Sequence, residues 1–248
     1  MNLTCIDIGN TEIDIATYIS DNDFIVGNLD THDDTIFEFI ELNSTSSLIN
    51  QFDNIAISSV VPKIEEKIIK KFQKLNLSCF SVSHLNSKIS FDVESPNEVG
   101  NDRICNMKVA IEKELCPAII VDFGSATTYD VINNQGCFIG GVIAPGIDVS
   151  AENLFKRAAQ LNKVDYKLPQ SVIGKSTTTN LQSGIMYGGI DAINGMLNRL
   201  KKEMDEQINN IVLTGGFSKI LSPYINHKHT LDPDMTIKGI KLIWEQNQ

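Results

Sequence analysis

Two short segments of this chain repeat one pattern, and the repeat limits the possible folds more than any other feature of the sequence. The first reads TCIDIGNTEIDIATY from Thr4, and the second reads VDFGSATTYDVI from Val121. In each, an apolar run leads into Asp-x-Gly followed by Asn or Ser, and a second apolar run follows, as in two strands joined by a tight turn. The two acidic residues, Asp7 and Asp122, lie 115 positions apart in a chain of 248 residues. The sequence therefore predicts two copies of one α/β unit.

The boundary between the copies is predicted near Pro117. Before it, apolar residues recur at helical spacing and predict one apolar helix face, formed by Ile104, Met107, Ile111 and Leu115. Pro117 ends this helix, because proline has no N–H to donate and clashes with the preceding turn. We therefore predict an N-terminal half over residues 1–117 and a C-terminal half over 118–248, in an α/β fold of mixed sheets flanked by helices. A longer helix is predicted from about Ser183 to Met204.

Charge and cysteine content narrow the classes of function. The net charge is -10 and the pI about 4.8, so the chain lacks the basic surface with which proteins bind nucleic acids or anionic membranes. Five cysteines without a CxxC pair argue against a disulfide framework and a structural zinc site. The N-terminal residues turn polar too early for a signal peptide, and no apolar run approaches the roughly 18–20 residues that span a bilayer. We expect a cytoplasmic protein.

The turn after the first strand has residues suited to binding phosphate. Gly9 lets the main chain bend sharply and approach a ligand closely. The N–H groups of such a turn, with the side chains of Asn10 and Thr11, can donate hydrogen bonds to phosphate oxygens. Asp7 repels phosphate, but it can hold Mg²⁺ or a water bound to Mg²⁺, because that ion prefers oxygen ligands.

The second turn repeats this arrangement, with Asp122 before the glycine and Ser125 supplying a hydroxyl. Each turn alone is better explained as an ordinary hairpin bend, since Asp, Gly, Asn and Ser are the usual turn residues. Their equivalent positions in a repeat favour a pair of nucleotide-phosphate loops. Two other nucleotide motifs are excluded. Pro169 stands where a Walker A loop ending in Gly174-Lys175-Ser176 needs its first glycine, and no G-x-G-x-x-G is present.

Phosphoryl transfer also needs a group that orients or deprotonates the accepting hydroxyl. Asp102 is the candidate, because it follows Gly100 at the start of a predicted helix and can accept a proton from an alcohol. Arg103 beside it can hold a carboxylate or phosphate of the substrate. The alternative is that Asp102 caps the helix or complements its dipole. Local sequence leaves both interpretations open.

Several motifs, taken in order, resemble one family. They run nearly end to end and read IDIGNTEID, ISSVVP, PNEVGNDRICN, VDFGSATTYDVI, GGVIAPGIDVSAENLFKRAAQL, VIGKSTTTNLQSGIMYG and VLTGG. The chain resembles type III pantothenate kinase, of the superfamily that contains acetate and sugar kinases, heat-shock ATPases and actin. The resemblance implies two tandem ribonuclease-H-like halves, a homodimer, and phosphorylation of pantothenate by ATP to 4'-phosphopantothenate, the first step of coenzyme A biosynthesis.

The resemblance also implies roles for individual residues. Asp102 corresponds to the general base, Asp122 to the ligand of a monovalent cation (K⁺ or NH₄⁺), and Ser125 to a contact with ATP. The pantothenate pocket is lined by Gly100, Asn101, Asp102, Arg103 and, near the dimer interface, Thr177. The first loop binds the phosphates of ATP, which Mg²⁺ accompanies, and its residues are Asp7, Ile8, Gly9, Asn10, Thr11, Glu12, Ile13 and Asp14.

Three positions depart from the family's pattern. Asn101 replaces a smaller residue, Ser125 replaces Thr, and Val93 stands where many members have Tyr, but none of these changes removes a catalytic group. Two other functions stay open at this point. The chain can be a kinase for another small hydroxyl substrate such as a sugar, against which only the pocket residues argue. It can also be a non-catalytic regulator on the same scaffold, against which the retained acidic residues argue.

Overall fold

The computed structural model describes most of the chain, namely residues 3–18, 20, 24–31, 35–45, 54–158, 160–204 and 208–248. The chain divides into two compact units, Met1–Glu114 with Asp234–Gln248, and Leu115–Pro233. By contact, the C-terminal residues thus belong with the N-terminal strands. The predicted halves, residues 1–117 and 118–248, were defined by the sequence repeat, whereas these units are defined by contacts. The predicted division therefore stays a prediction.

The first unit is built on one mixed sheet. Its strands are β1 (Leu3–Ile8), β2 (Glu12–Tyr18), β3 (Phe24–Asp30), β4 (Asn54–Ser59) and β5 (Cys79–Ser81), in the order β3-β2-β1-β4-β5. β1 pairs antiparallel with β2 and parallel with β4. A short strand β6 (Ser90–Phe91), which is not part of this sheet, and a 3-10 turn (Pro96–Glu98) follow β5 in the chain. Its helices are α1 (Thr35–Thr45), α2 (Pro62–Lys74), α3 (Asn101–Glu112) and, last in the chain, α7 (Met235–Glu245).

The two faces of this sheet are covered by different helices. Ile6 and Ile8 point to one face and join a buried cluster with Phe72 of α2. Asp7 points to the other face, because side chains alternate along a strand, and on that face α3 and α7 pack against β1 and β4. The face of the hairpin that carries Ile6 and Ile8 therefore packs into the core, and the opposite face carries Asp7.

The second unit repeats the hairpin with its parallel neighbour. Its strands are β7 (Ala118–Phe123), β8 (Ala126–Ile132), β9 (Cys137–Pro145), β10 (Asn210–Thr214) and β11 (Thr230–Leu231), in the order β11-β10-β7-β8-β9. β7 pairs antiparallel with β8 and parallel with β10. Its helices are α4 (Ile147–Arg157), α5 (Thr177–Glu203) and α6 (Ser218–Leu221), the last continued by a 3-10 turn (Ser222–Tyr224). The predicted α/β class, with two mixed sheets flanked by helices, is confirmed.

Helix α5 begins earlier than predicted. Ser176 is its N-cap and accepts a bond from the N–H of Thr179 at 3.2 Å, while Thr179 Oγ1 accepts from the N–H of Ser176 at 3.0 Å. This capping box starts the helix at Thr177. The predicted start at Ser183 was wrong because the first turns are polar and show no apolar period. The apolar period begins where the helix meets the core of the unit, through Met186, Ile190, Ile193 and Leu197.

Candidate active site

The loop between β1 and β2 is a closed turn with exposed polar side chains. The N–H of Gly9 donates to the carbonyl of Glu12 at 2.9 Å. Thr31 holds the loop from the end of β3, since its N–H donates to Thr11 O at 3.0 Å and its hydroxyl to Gly9 O at 2.8 Å. The side chains of Asn10 and Thr11 are exposed. A turn fixed in this way can bind phosphate oxygens without reorganising.

Two carboxyl groups lie side by side at the end of this hairpin. The register places Asp7 opposite Asp14, so the two project to the same face with Cβ atoms about 4.5–5.5 Å apart. Asn28 on β3 faces Asp14, and its Nδ2 donates to Asp14 Oδ1 at 2.9 Å and to Glu12 Oε2 at 3.0 Å. Burial raises the pKa of Asp14, and the bond from Asn28 opposes that rise. Because like charges opposite each other destabilise a hairpin, a cation here would stabilise it.

These groups fit a divalent cation that accompanies a nucleotide. In nucleotide sites Mg²⁺ is held by one or two carboxylates together with substrate phosphates and waters. Asp7, with Asp14 across from it, supplies carboxylates of that kind. In the part of the chain that the structure describes, no group of three or more His, Cys, Asp or Glu side chains is placed to enclose a metal.

Asp102 is the second residue of α3, and a glycine makes room for its carboxylate. Gly100 is the N-cap of the helix, and a Cβ at this position would lie 2.5 Å from Asp102 Oδ1. The same oxygen accepts a hydrogen bond from the N–H of Arg103 at 2.7 Å. Asn101 Nδ2 donates to Ser59 O at 3.1 Å, which ties the start of α3 to the end of β4. A larger residue at position 100 would therefore displace the Asp102 carboxylate.

The electrostatics of Asp102 follow from its burial. Removal from water disfavours the charged form and raises the pKa of Asp102, while the N–H and the guanidinium of Arg103 act against the rise. Cys105, further along α3, is completely buried, and burial raises the pKa of its thiol, with smaller contributions from the charges of Asp7 and Asp102. The structure thus brings Asp7 and Asp102 to one region of the first unit. A carboxylate with a raised pKa is a better proton acceptor than an ordinary Asp.

The loop between β7 and β8 is held by the start of α4. The N–H of Gly124 donates to Ala126 O at 3.1 Å, and the N–H of Gly146 donates to Ser125 O at 3.1 Å. A Cβ at Gly146 would lie 2.5 Å from Gly124 O, so this close approach requires a glycine. The second predicted phosphate loop is therefore fixed by main-chain contacts.

Asp122 lies under the turn that follows β10. In that turn Gly215 has a φ of +83°, and a Cβ on it would collide with Asp122 Oδ1 and lie 2.7 Å from Phe123 N. Only main chain can occupy this space. A carboxylate oxygen close to main-chain groups provides the oxygen donors that K⁺ takes in proteins. The residues present therefore fit a monovalent cation.

Thr177 lies on a different part of the second unit. It is exposed at the start of α5 and lines a cavity of about 680 Å³ between β9, α4 and α5. Most of the cavity's walls are apolar, including Ala144, Pro145, Ile147, Leu154, Leu181 and Ile185. Its volume is in the range of small-molecule sites.

Sequence reasoning missed the residues that support the first loop from β3. Thr31 and Asn28 carry no motif, and their roles depend on the register that pairs β3 with β2. A single sequence does not reveal that register, because a slip of one residue turns every side chain to the other face.

Two comparisons of sequence agree on one family. The family model described as type III pantothenate kinase matches residues 3–199. A curated relative, the type III pantothenate kinase of Sulfurihydrogenibium sp. (strain YO3AOP1), is 37% identical over 247 residues, which cover 96% of this chain and 97% of that protein.

Solved structures of low sequence identity share the fold. MreB 5 of Spiroplasma citri, bound to AMPPNP, superposes with a TM-score of 0.57 at 9% identity, over 99% of this chain and 96% of that one. The ethanolamine utilization protein EutJ from Carboxydothermus hydrogenoformans gives a TM-score of 0.54 at 14% identity, over 98% of this chain and 90% of that one. The likeness to these actin-like proteins bears on the fold alone and confirms the predicted fold class.

Proposed function

Since this chain belongs to the type III pantothenate kinase family, we propose that Asp102 is the general base of its reaction. The enzyme phosphorylates pantothenate with ATP, giving 4'-phosphopantothenate in the first step of coenzyme A biosynthesis. Transfer to an alcohol needs a group that accepts the hydroxyl proton as the bond to phosphorus forms. The observation that carries the assignment is the Asp102 carboxylate, which is fixed by the N–H of Arg103 at 2.7 Å and raised in pKa by burial.

The loop after β1 binds the phosphates of ATP in this proposal. Ile8 and Ile13 are completely buried, so contacts in this stretch come from main-chain groups and from the exposed side chains of Asn10 and Thr11. A divalent cation bound with ATP neutralises charge on the phosphates. Asp7 is the residue placed to hold it, with Asp14 opposite.

The loop after β7 has a different role. Asp122 holds a monovalent cation, K⁺ or NH₄⁺, and Ser125 donates its hydroxyl to ATP. Support for the cation comes from the main chain of Gly215, which lies against the Asp122 carboxylate where any side chain would collide. One positive ion there would offset the negative charge of Asp122, which is half-buried.

Pantothenate is bound at the start of α3 in this proposal. Arg103 suits the pantothenate carboxylate, because a guanidinium and a carboxylate form two parallel hydrogen bonds. Gly100 and Asn101 shape the wall beside Asp102. Thr177, at the start of α5, contacts pantothenate near the dimer interface.

We propose that the active enzyme is a homodimer that associates through the second unit. Val172 and Ile173, which precede α5, expose large apolar side chains, and the apolar cavity beside Thr177 is open to a neighbour. Association would remove this apolar surface from water. For location we propose the cytoplasm. Among the described helices, none combines the length and apolar character needed to cross a membrane.

Replacing Asp102 by Asn tests the proposal. Asn keeps the shape of the side chain and an oxygen for the N–H of Arg103, but it cannot take a proton. We expect kcat to fall roughly 10²–10⁴-fold in a coupled ADP-release assay with pantothenate, with KM for ATP little changed. Asp165→Asn is the matched control, because the Asp165 side chain is 84% exposed. An Asp102→Asn enzyme with the control's kcat would overturn the assignment.

A further inference from the structure

A row of polar side chains crosses the second sheet at Asp122. Register pairs Thr214 on β10 with Asp122 on β7, and Asp122 with Thr128 on β8. Directly opposite residues of neighbouring strands project to the same face, with Cβ atoms about 4.5–5.5 Å apart. One carboxylate thus lies between two threonines.

The Thr128 hydroxyl is buried without a hydrogen bond. Its Oγ1 is out of contact with solvent and has no partner among the described residues. Thr214 differs, since its hydroxyl donates to Pro233 O, though at a long 3.4 Å. A buried hydroxyl without a partner costs roughly 1–3 kcal/mol. A position that keeps such a group is a place where a bound ligand completes the missing interaction.

The equivalent positions of the two hairpins differ in charge. In the first unit Asp7 faces Asp14, which gives two carboxyl groups, whereas in the second unit Asp122 faces Thr128, which gives one carboxyl and one neutral hydroxyl. Asp130, the next residue on that face of β8, is opposite Ile120, one pair further from the loop. Two carboxylates balance the charge of a divalent ion, and a single carboxylate balances that of a monovalent ion.

We propose that Thr128 Oγ1 is a second ligand of the monovalent cation bound by Asp122. The assignment rests on the proposed function, which places that cation at Asp122. The Thr128 side chain projects to the same face as the Asp122 side chain, and its hydroxyl would give the ion an uncharged oxygen donor. The main chain of Gly215 closes the carboxylate side, so the ion is held between β8 and the turn after β10.

Thermal unfolding of the full chain in KCl, compared with tetramethylammonium chloride at equal ionic strength, tests this with and without ADP. The wild type and Thr128→Ser should be stabilised by K⁺. Thr128→Val should lose most of the rise in Tm that K⁺ causes. In tetramethylammonium chloride its Tm should equal or exceed that of the wild type, because the substitution removes the unpaired hydroxyl. The K⁺ concentration that gives half-maximal activity should rise about tenfold or more in Thr128→Val, as expected for the loss of about 1.4 kcal/mol.

Thr127→Val is the matched control, since Thr127 is opposite Phe123 and points to the other face of β8; its K⁺ shift should stay intact. If K⁺ raises the Tm of Thr128→Val as much as that of the wild type, the assignment is overturned. It is also overturned if Thr128→Val loses only the rise in Tm caused by ADP, because the hydroxyl would then bind a phosphate. A wild type without any K⁺ shift would overturn the cation at Asp122 itself, which is a failure of the proposed function. If Thr128→Val folds poorly, Thr128→Ala decides by the same criteria.

Discussion

At the start of α3, the proposed role of Asp102 and its burial favour opposite protonation states. As the proposed general base, Asp102 must be ionised to accept a proton, but burial raises its pKa, so the fold disfavours the ionised form. The folded protein therefore binds the Asp102 proton more tightly than the unfolded chain does. It follows that ionised Asp102 lowers the free energy of unfolding wherever the pH is above its folded pKa.

This sign gives a prediction for stability. At neutral pH, Asp102→Asn should unfold at higher urea concentration than the wild type, because Asn resembles the uncharged form. As the pH falls through the folded pKa towards the ordinary Asp value of about 3.9, the wild type takes up the proton and the difference should shrink. Urea unfolding at several pH values measures both effects. A variant that is less stable at neutral pH would show that the carboxylate stabilises the fold instead.

The sequence was sufficient to select candidate acidic residues for the site but not the residues that contact them. Asp7, Asp102 and Asp122 each lie in a local motif whose glycine signals a turn or a helix start. Asn28 and Thr128 act through strand register, which depends on long-range pairing. Candidate site residues could therefore be predicted from the sequence where they lie in a local motif, but not where their position depends on strand pairing.

Among the helices, α3 and α7 make the closest contact within the first unit. Gly239 of α7 lies against the backbone of Cys105 in α3, and a Cβ at position 239 would collide with the Cys105 carbonyl. By contrast, Gly195 lies in α5 with no atom within 4 Å of a Cβ built there. The same residue type thus has a packing role in one helix and none in the other.

Alanine at these two glycines should change stability in opposite directions. Gly239→Ala should destabilise the protein by about 1–3 kcal/mol, because the helices must move apart. Gly195→Ala should stabilise it by about 0.5–1 kcal/mol through higher helix propensity. Chemical denaturation of both variants measures the difference. Equal effects of the two would contradict this account of how α7 packs on α3.

Elements were predictable where local signals are strong. The two hairpins follow from apolar runs around turn residues, and the end of α5 follows from its apolar period. The start of α5 was missed because a capping box of polar residues, Ser176 with Thr179, sets it before any apolar period begins. Contacts between α3 and α7 join residues far apart in the sequence, which no local pattern indicates.

For the molecule as a whole, the two units carry equivalent hairpins with different charge. This difference supports the unequal roles proposed for them, with a divalent ion and phosphates at Asp7 and a monovalent ion at Asp122. In the proposed dimer Thr177, which lines an apolar cavity of the second unit, would contribute near the interface.

Sedimentation of the purified protein should give a mass about twice that of the 27.4 kDa chain. Ile173→Asp should shift the mass to that of one chain, because a charge in an apolar interface is strongly unfavourable. Leu85→Asp is the control, since Leu85 is similarly exposed but belongs to the first unit. A monomeric wild type, or a dimer unaffected by Ile173→Asp, would contradict the proposed interface.

The proposed reaction is tested by measuring 4'-phosphopantothenate formed from ATP and pantothenate, in K⁺ and with K⁺ replaced by tetramethylammonium. We expect one product for each ADP released, turnover that depends on pantothenate, and a large loss of rate when K⁺ is removed. Absence of the product in every salt, or ADP release that does not depend on pantothenate, would contradict it.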